Sequence, residues 1–453
     1  MASGPPHKLK ATTMKKYLAA AALVLPALSQ AAPVVTQPGA LMTLGPIASP
    51  QTGLSVLYNP AAGETVISED DSFRWGYLGS TGVSVEVGDV DNFADDVNQL
   101  MDDLELENVS ADTANDIINN YNNNLRHKLG DAGYMKIDVQ FVAPLAPLLM
   151  RSDILGGVMS VDLVGGVTAK LSILDDDLSL NSNTASFETN TAVYLKSVQY
   201  TTIGLGYSRE LDNVVIDKVN EQVDGRLLSG VRLNMYNLKL SKQVIGLMNI
   251  DEDDEIGDVI ADDYDGNQAS GSALGIDLGL IWEADNYHLG FTWRNVNEPE
   301  FDFGTLGQGC NDNATNTGIS NCFTALYFAG QDRITLDETH VMTSQATADV
   351  ALNTENKRWR LAASYDLQPV RDPVGDEYQW LTTSAAYVSS RFIGARIGLS
   401  QNQVGSELTT MNAGLSFFGN VNLDLRYSLD TIEVDGTTTP RVFGVNLGFE
   451  SSF

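Results

Sequence analysis

The stretch SALGIDLGLIWEADNYHLGFTWRNV, residues 272–296, is built on a period of two. Leu274, Ile276, Leu278, Leu280 and Trp282 fall on one face, with Ala273, Gly275, Asp277 and Gly279 on the other. After the turn at Glu283–Asn286, Tyr287, Leu289, Phe291 and Trp293 carry the apolar face against His288, Gly290, Thr292 and Arg294. Such alternation marks two extended strands joined as a hairpin. It does not say which face is inside. A soluble sandwich buries the apolar face, whereas a membrane barrel turns it to lipid and keeps the polar face within.

Three features favour the membrane. The strands run to about 9–11 residues, the length that crosses a bilayer at a tilt. Aromatics gather at strand ends (Trp282, Tyr287, Trp293, Trp359, Trp380), where an interfacial girdle would sit. Short turns (283–286, 419–420) alternate with long polar connections (368–377, 431–440), as expected of two unlike rims. Trp359, Leu361, Ala363, Tyr365 and Leu367 repeat the pattern, as do Val421, Leu423, Leu425, Tyr427 and Leu429. The expected fold is all-β: a transmembrane antiparallel β-barrel of about 14 strands, closed because lipid cannot satisfy a sheet edge.

The last stretch, RVFGVNLGFESSF (441–453), places Phe443, Val445, Leu447, Phe449 and Phe453 in one register. It resembles the C-terminal signature by which the barrel-assembly machinery handles outer-membrane barrels, with Phe449 and Phe453 as its marks. At the other end, MKKYLAAAALVLPALSQAAP from Met14 has two lysines, a short apolar core and a small-x-small site. It reads as a secretory signal within a leader of residues 1–31. Its apolar run falls short of the roughly 20 residues of a membrane helix. The formal charge of −32 becomes −36 once the four lysines of that leader are removed. Such a charge argues against nucleic acid, which needs clustered Lys and Arg.

Residues 32–131 read as an N-terminal plug and 132–453 as the barrel. Inside the plug, Phe93, Val97, Leu100, Met101 and Leu104 share one helical face. A second helix, capped by Ser110, carries Ala114, Ile117, Ile118, Tyr121, Leu125 and Leu129, with Gly130 as its stop signal. Together they predict a helical hairpin over 92–130. Upstream, TLGPIASPQTGLSVLYNPAAG resembles the N-terminal motif of FadL-like outer-membrane barrels through the turn Tyr58-Asn59-Pro60-Ala61, although Pro46, Pro50 and Gln51 break its small-residue run. Pro60 fixes its own φ and pushes Asn59 out of the helical region, which suits a rigid corner. The hairpin at 275–299, with Asp277 between glycines and Asn295-Val296-Asn297 after it, looks like the TraF-type branch of that superfamily, labelled conjugal transfer protein TraF. PorV-like barrels share its general shape.

That resemblance implies an outer-membrane protein of a Gram-negative bacterium, passively passing small hydrophobic molecules. An alternative is an envelope assembly or docking barrel, associated with conjugal transfer or PorV-like, without transport. Implied partners are outer-membrane lipid, lipopolysaccharide, the barrel-assembly machinery and a hydrophobic small molecule. Inward positions, read mostly as Gly, Ser, Asp and Arg, weaken a fatty-acid cargo. Asp277, Arg294, Arg360, Asp366, Arg396, Asp424 and Arg426 all fall on polar faces. They read either as a selectivity lining or as mutually satisfied lumen pairs around the plug.

Cys310 and Cys322, twelve apart in an exported loop, point to a disulfide, since the C-x-x-C spacing of a redox centre is absent. The run 251–265 has nine acidic residues in fifteen positions but not the spacing of a calcium loop, and reads as a solvated loop. Without a G-x-S-x-G or HExxH context for the histidines, neither an enzyme nor a cofactor is expected.

Overall fold

The computed structural model describes residues 37–47, 52–67, 71–106, 109–181, 186–212, 225–250, 267–312, 315–388, 393–418 and 421–452. The leader, the acidic run 251–265 and Phe453 lie outside them. The wall is a closed antiparallel sheet. Its strands are β1 (Phe73–Val87), β2 (Tyr134–Val142), β3 (Leu148–Ser152), β4 (Gly157–Leu174), β5 (Ala192–Glu210), β6 (Arg226–Gly246), β7 (Gln268–Glu283), β8 (Tyr287–Arg294), β9 (Gln345–Asn353), β10 (Trp359–Asp366), β11 (Trp380–Val388), β12 (Ile393–Asn402), β13 (Thr409–Phe417), β14 (Val421–Ser428) and β15 (Val442–Ser452). Because β2 and β3 share one position in the wall, between β1 and β4, the barrel has fourteen staves. The circle closes where β1 pairs with β15.

The apolar faces point outward. Leu274, Leu361 and Leu447 are 60%, 55% and 56% exposed, while the alternating Asp277, Arg360 and Asn446 are buried. The barrel is therefore inside-out relative to a soluble protein, as lipid requires. Trp293 and Trp359 belong to the outer surface, the latter against Tyr387 with ring centroids 4.6 Å apart. Trp380 does not. It shares parity with the buried Thr382, so it turns into the lumen and stacks on Tyr378.

The plug–barrel boundary expected at 131/132 is also displaced. The wall begins at Phe73, and the helices α1 (Phe93–Leu104), α2 (Ala111–Asn120) and α3 (Arg126–Ala132) connect the first two staves. Their apolar face covers the long-loop rim, where Phe93, Leu100, Tyr121 and Leu129 pack on Ile173, Phe187, Val193 and Ile245. Ser110 caps α2 by accepting from the Thr113 N–H at 3.2 Å. The helix does not stop at Gly130. It continues to Ala132, with Gly130 tight against Asp175.

The parts of the plug described inside the barrel are residues 37–47 and 52–67. At its corner Asn59 is extended and its side chain accepts from Ala61 N at 3.0 Å, starting a helical turn at Pro60–Ala62. Strand residues hold the segment from several sides. Thr43 donates to Asp424 at 2.6 Å, Ser384 to the Leu44 carbonyl at 2.9 Å, and Thr52 to Glu450 at 2.5 Å.

Candidate functional site

Neighbouring strands bring inward residues together in layers. One inward layer beyond Leu228 and Ile281 of the short-turn rim, Gly230 and Gly279 are cross-strand partners on β6 and β7, and the plug corner lies directly on them. A Cβ on Gly279 would come within 2.1 Å of Asn59 Oδ1, and one on Gly230 within 2.3 Å of Ala61 N. These glycines let one backbone lie against another.

The next layer is charged. Arg232 on β6 makes a forked pair with Asp162 on β4 at 2.6 and 3.1 Å, approaches Asp277 at 3.6 Å, and donates to the plug's Leu57 carbonyl at 3.3 Å. Asp277 also accepts from Asn234 at 2.6 Å and from Asn295 N at 2.8 Å.

Above it the wall turns apolar. Val142, Val164, Val198, Tyr200, Tyr236, Leu238 and Leu240 project inward from β2 and β4–β6, meeting Leu57 and Tyr58 of the plug and Phe301, Phe303 and Met342 of a rim loop. Inward positions are therefore not mostly Gly, Ser, Asp and Arg on this side. Here the alternation of β5 and β6 is reversed: the inward face is apolar, and Ser197, Gln199, Asn237, Lys239 and Ser241 occupy the other. A cavity of about 120 Å³ opens beside it, lined by Tyr58, Tyr236, Met342, Tyr378 and Trp380 among others.

Arg294 and Arg426 line the same cavity. Arg294 stands over the Tyr58 ring at 5.5 Å and donates to Gln345; Arg426 stands over Trp380 at 4.9 Å. Cation–π contact of this kind holds a guanidinium without a carboxylate. The other charged residues singled out in the sequence are engaged with neighbours. Arg396 forks onto Asp424 at 2.5 and 2.8 Å, Arg360 reaches His288 Nδ1 at 2.8 Å, and His288 Nε2 meets Asp349 at 3.0 Å. Asp366 accepts from Thr347 at 2.7 Å and from Trp380 N at 3.0 Å. Among the described residues no group of three or more His, Cys, Asp or Glu is placed to hold a metal.

On the long-loop rim, Cys310 and Cys322 form a disulfide, tying a short turn to helix α4 (Asn316–Gly330). His340 pairs with Phe301 in a small rim ladder. Burial, and secondarily Lys196, push its imidazole down to about 4, against a smaller opposing effect of Glu338. A base depressed in the fold contributes stability above its unfolded value near 6.5, and that stability is lost as pH falls toward 4. Acidification from pH 7.5 to 4.5 is thus expected to cost ~2–3 kcal/mol at this loop. Thermal unfolding of the native protein and His340→Gln at both pH values checks this. An equal acid loss in both would remove His340 as the cause.

Four further residues, Lys136, Lys170, Lys196 and Lys242, sit inward near the rim and escaped sequence reading. Lys136 and Lys170 fall on the polar faces of their strands, whereas Lys196 and Lys242 interrupt apolar ones, and the alignment of all four exists only through cross-strand register.

Among solved structures, the Pseudomonas putida toluene transporter TodX is 13% identical, over 92% of this chain and 97% of its own, with a TM-score of 0.42. A Pseudomonas aeruginosa FadL homologue is 12% identical over 93% and 99%, with a TM-score of 0.39. The Ralstonia pickettii toluene transporter TbuX is 12% identical over 91% and 99%, with a TM-score of 0.32. Likeness at this level says nothing about what the lumen carries. No curated protein matches the chain by sequence. The family model described as F plasmid transfer operon, TraF, protein matches residues 56–366, running from the plug corner through β10. The chain belongs to that TraF family.

Proposed function

We propose that the protein is a passive transport barrel of the Gram-negative outer membrane, moving small hydrophobic molecules through the apolar chamber between plug and rim. The chamber carries this reading. Leu57, Val164, Tyr236 and Met342 give the cavity an apolar wall, continuous with the packed cluster of Val198, Tyr200, Leu238 and Leu240. Apolar walls with a few placed polar groups are what a small-molecule site needs. The stave is broken at 143–147, where Ala143 and Ala146 pack on Leu54 of the plug beside the chamber, and an exit toward lipid would open there if Leu54 moved. The outer face would meet lipid and lipopolysaccharide, and the alternating β15 would present the chain to the barrel-assembly machinery.

A docking role finds support in α4, whose outer surface exposes Phe323 and Tyr327. The two readings separate in vesicles with a lipopolysaccharide outer leaflet, which slows spontaneous entry of apolar molecules. Transport requires that the protein speed entry of phenylnaphthylamine, followed by its fluorescence. Entry no faster than into empty vesicles, with a stable co-purifying envelope protein, would favour docking instead.

A further inference from the structure

Lys136, Lys170, Lys196 and Lys242 are successive cross-strand partners on β2, β4, β5 and β6. Like charges placed directly opposite one another repel, so four ammoniums in one row need anions in front of them. Two rim loops supply these. Lys136 contacts Asp372 at 2.6 Å and Asp376 at 2.9 Å, and Lys170 pairs with Asp376 from the other side. Lys196 meets Glu338 at 2.6 Å; Lys242 donates to the Thr335 carbonyl at 2.7 Å and lies 3.7 Å from Glu338. Phe303 lies under Lys196 and Lys242, and Tyr378 under Lys136.

We propose that this row is an ionic latch, holding the loops at 335–338 and 372–376 over the mouth as the outer gate of the chamber. The inward rows below the lysines are Val198 with Leu240, then Tyr200 with Leu238, the start of the apolar chamber. A molecule entering over the β2–β6 side of the long-loop rim passes the lysines, and passage there requires loop acids to leave them. Two separate loops answer to one row, so the gate has two leaves. Glu338 closes the Lys196–Lys242 side, while Asp372 and Asp376 close the Lys136–Lys170 side. The chamber's use in transit rests on the proposed function; the latch itself does not.

Thr202, inward on β5 and lining the cavity, serves as a reporter when changed to Cys, because both native cysteines are bonded to each other. In lipid nanodiscs a charged maleimide should label Thr202→Cys slowly while the latch is intact. Adding Glu338→Gln, Asp372→Asn and Asp376→Asn should speed labelling about tenfold or more. Lys136→Gln, Lys170→Gln, Lys196→Gln and Lys242→Gln together attack the same contacts from the wall and should act likewise, which guards against misfolding of the first variant. Heat-modifiable migration in gels shows that each barrel is folded. Fast labelling with the latch intact, or no acceleration in folded variants, overturns the latch. Neither outcome bears on whether phenylnaphthylamine is carried.

Discussion

Replacing Gly230 and Gly279 together by Val is expected to unseat the plug. On Gly279 a Cβ would overlap Asn59 Oδ1 and crowd Pro60 Cδ at 2.9 Å; on Gly230 it would strike the Pro60 carbonyl carbon at 2.3 Å. The partners on Gly230 are backbone atoms that cannot rotate aside. The corner they belong to is fixed by Pro60, and Asn59 also donates to the Leu280 and Phe291 carbonyls at 3.3 and 3.4 Å. Overpacking at each position costs about 1–3 kcal/mol. Two such clashes on one corner would raise the displaced fraction about a hundredfold or more. Brief protease treatment should then cut the 37–67 segment in the double variant while sparing it in the parent. Equal protection in both would mean that the corner is not held by these glycines.

The second large effect concerns Arg232. Its guanidinium bridges two carboxylates and the plug backbone, and both it and Asp162 are buried. In Arg232→Met, Asp162 loses its forked partner while Asp277 keeps Asn234 and Asn295 N. A buried charge stripped of its partner costs about 3–5 kcal/mol, whereas removing both members is often nearly neutral. The single variant should therefore lower the urea midpoint sharply in micelles. Arg232→Met with Asp162→Leu should recover most of the loss. If single and double variants unfold alike, the guanidinium matters only as bulk.

How much could be read from the chain depended on how local the signal was. Period two in 272–296 marked strands, and the run of short turns and long loops set their orientation, because each needs only neighbouring residues. The apolar faces of α1 and α2 were legible for the same reason. Their place over the rim was not, since nothing inside 92–130 says that Phe73–Val87 before it is already wall. Trp380 misled because its strand begins at the tryptophan itself, and parity rather than nearness to an end decides which way a ring points. The chamber was hidden by β5 and β6, where the alternation reverses along the strand and the apolar residues Val198, Tyr200, Leu238 and Leu240 turn inward. Asn59 and Pro60 announced a corner, but the glycines under it lie well over a hundred residues away in sequence, and the lysine row appears only when four strands are set side by side.

The bond between β1 and β15 has a bearing on biogenesis. The first stave finds its second neighbour only in Val442–Ser452, so until that last strand is in place the N-terminal strand waits with one side open. Contacts this distant along a chain form slowly. A nascent polypeptide lacking its final stave would carry two raw, sticky borders instead of none, inviting aggregation. Closure is thus a single event, in which the last strand gains β1 on one side and β14 on the other.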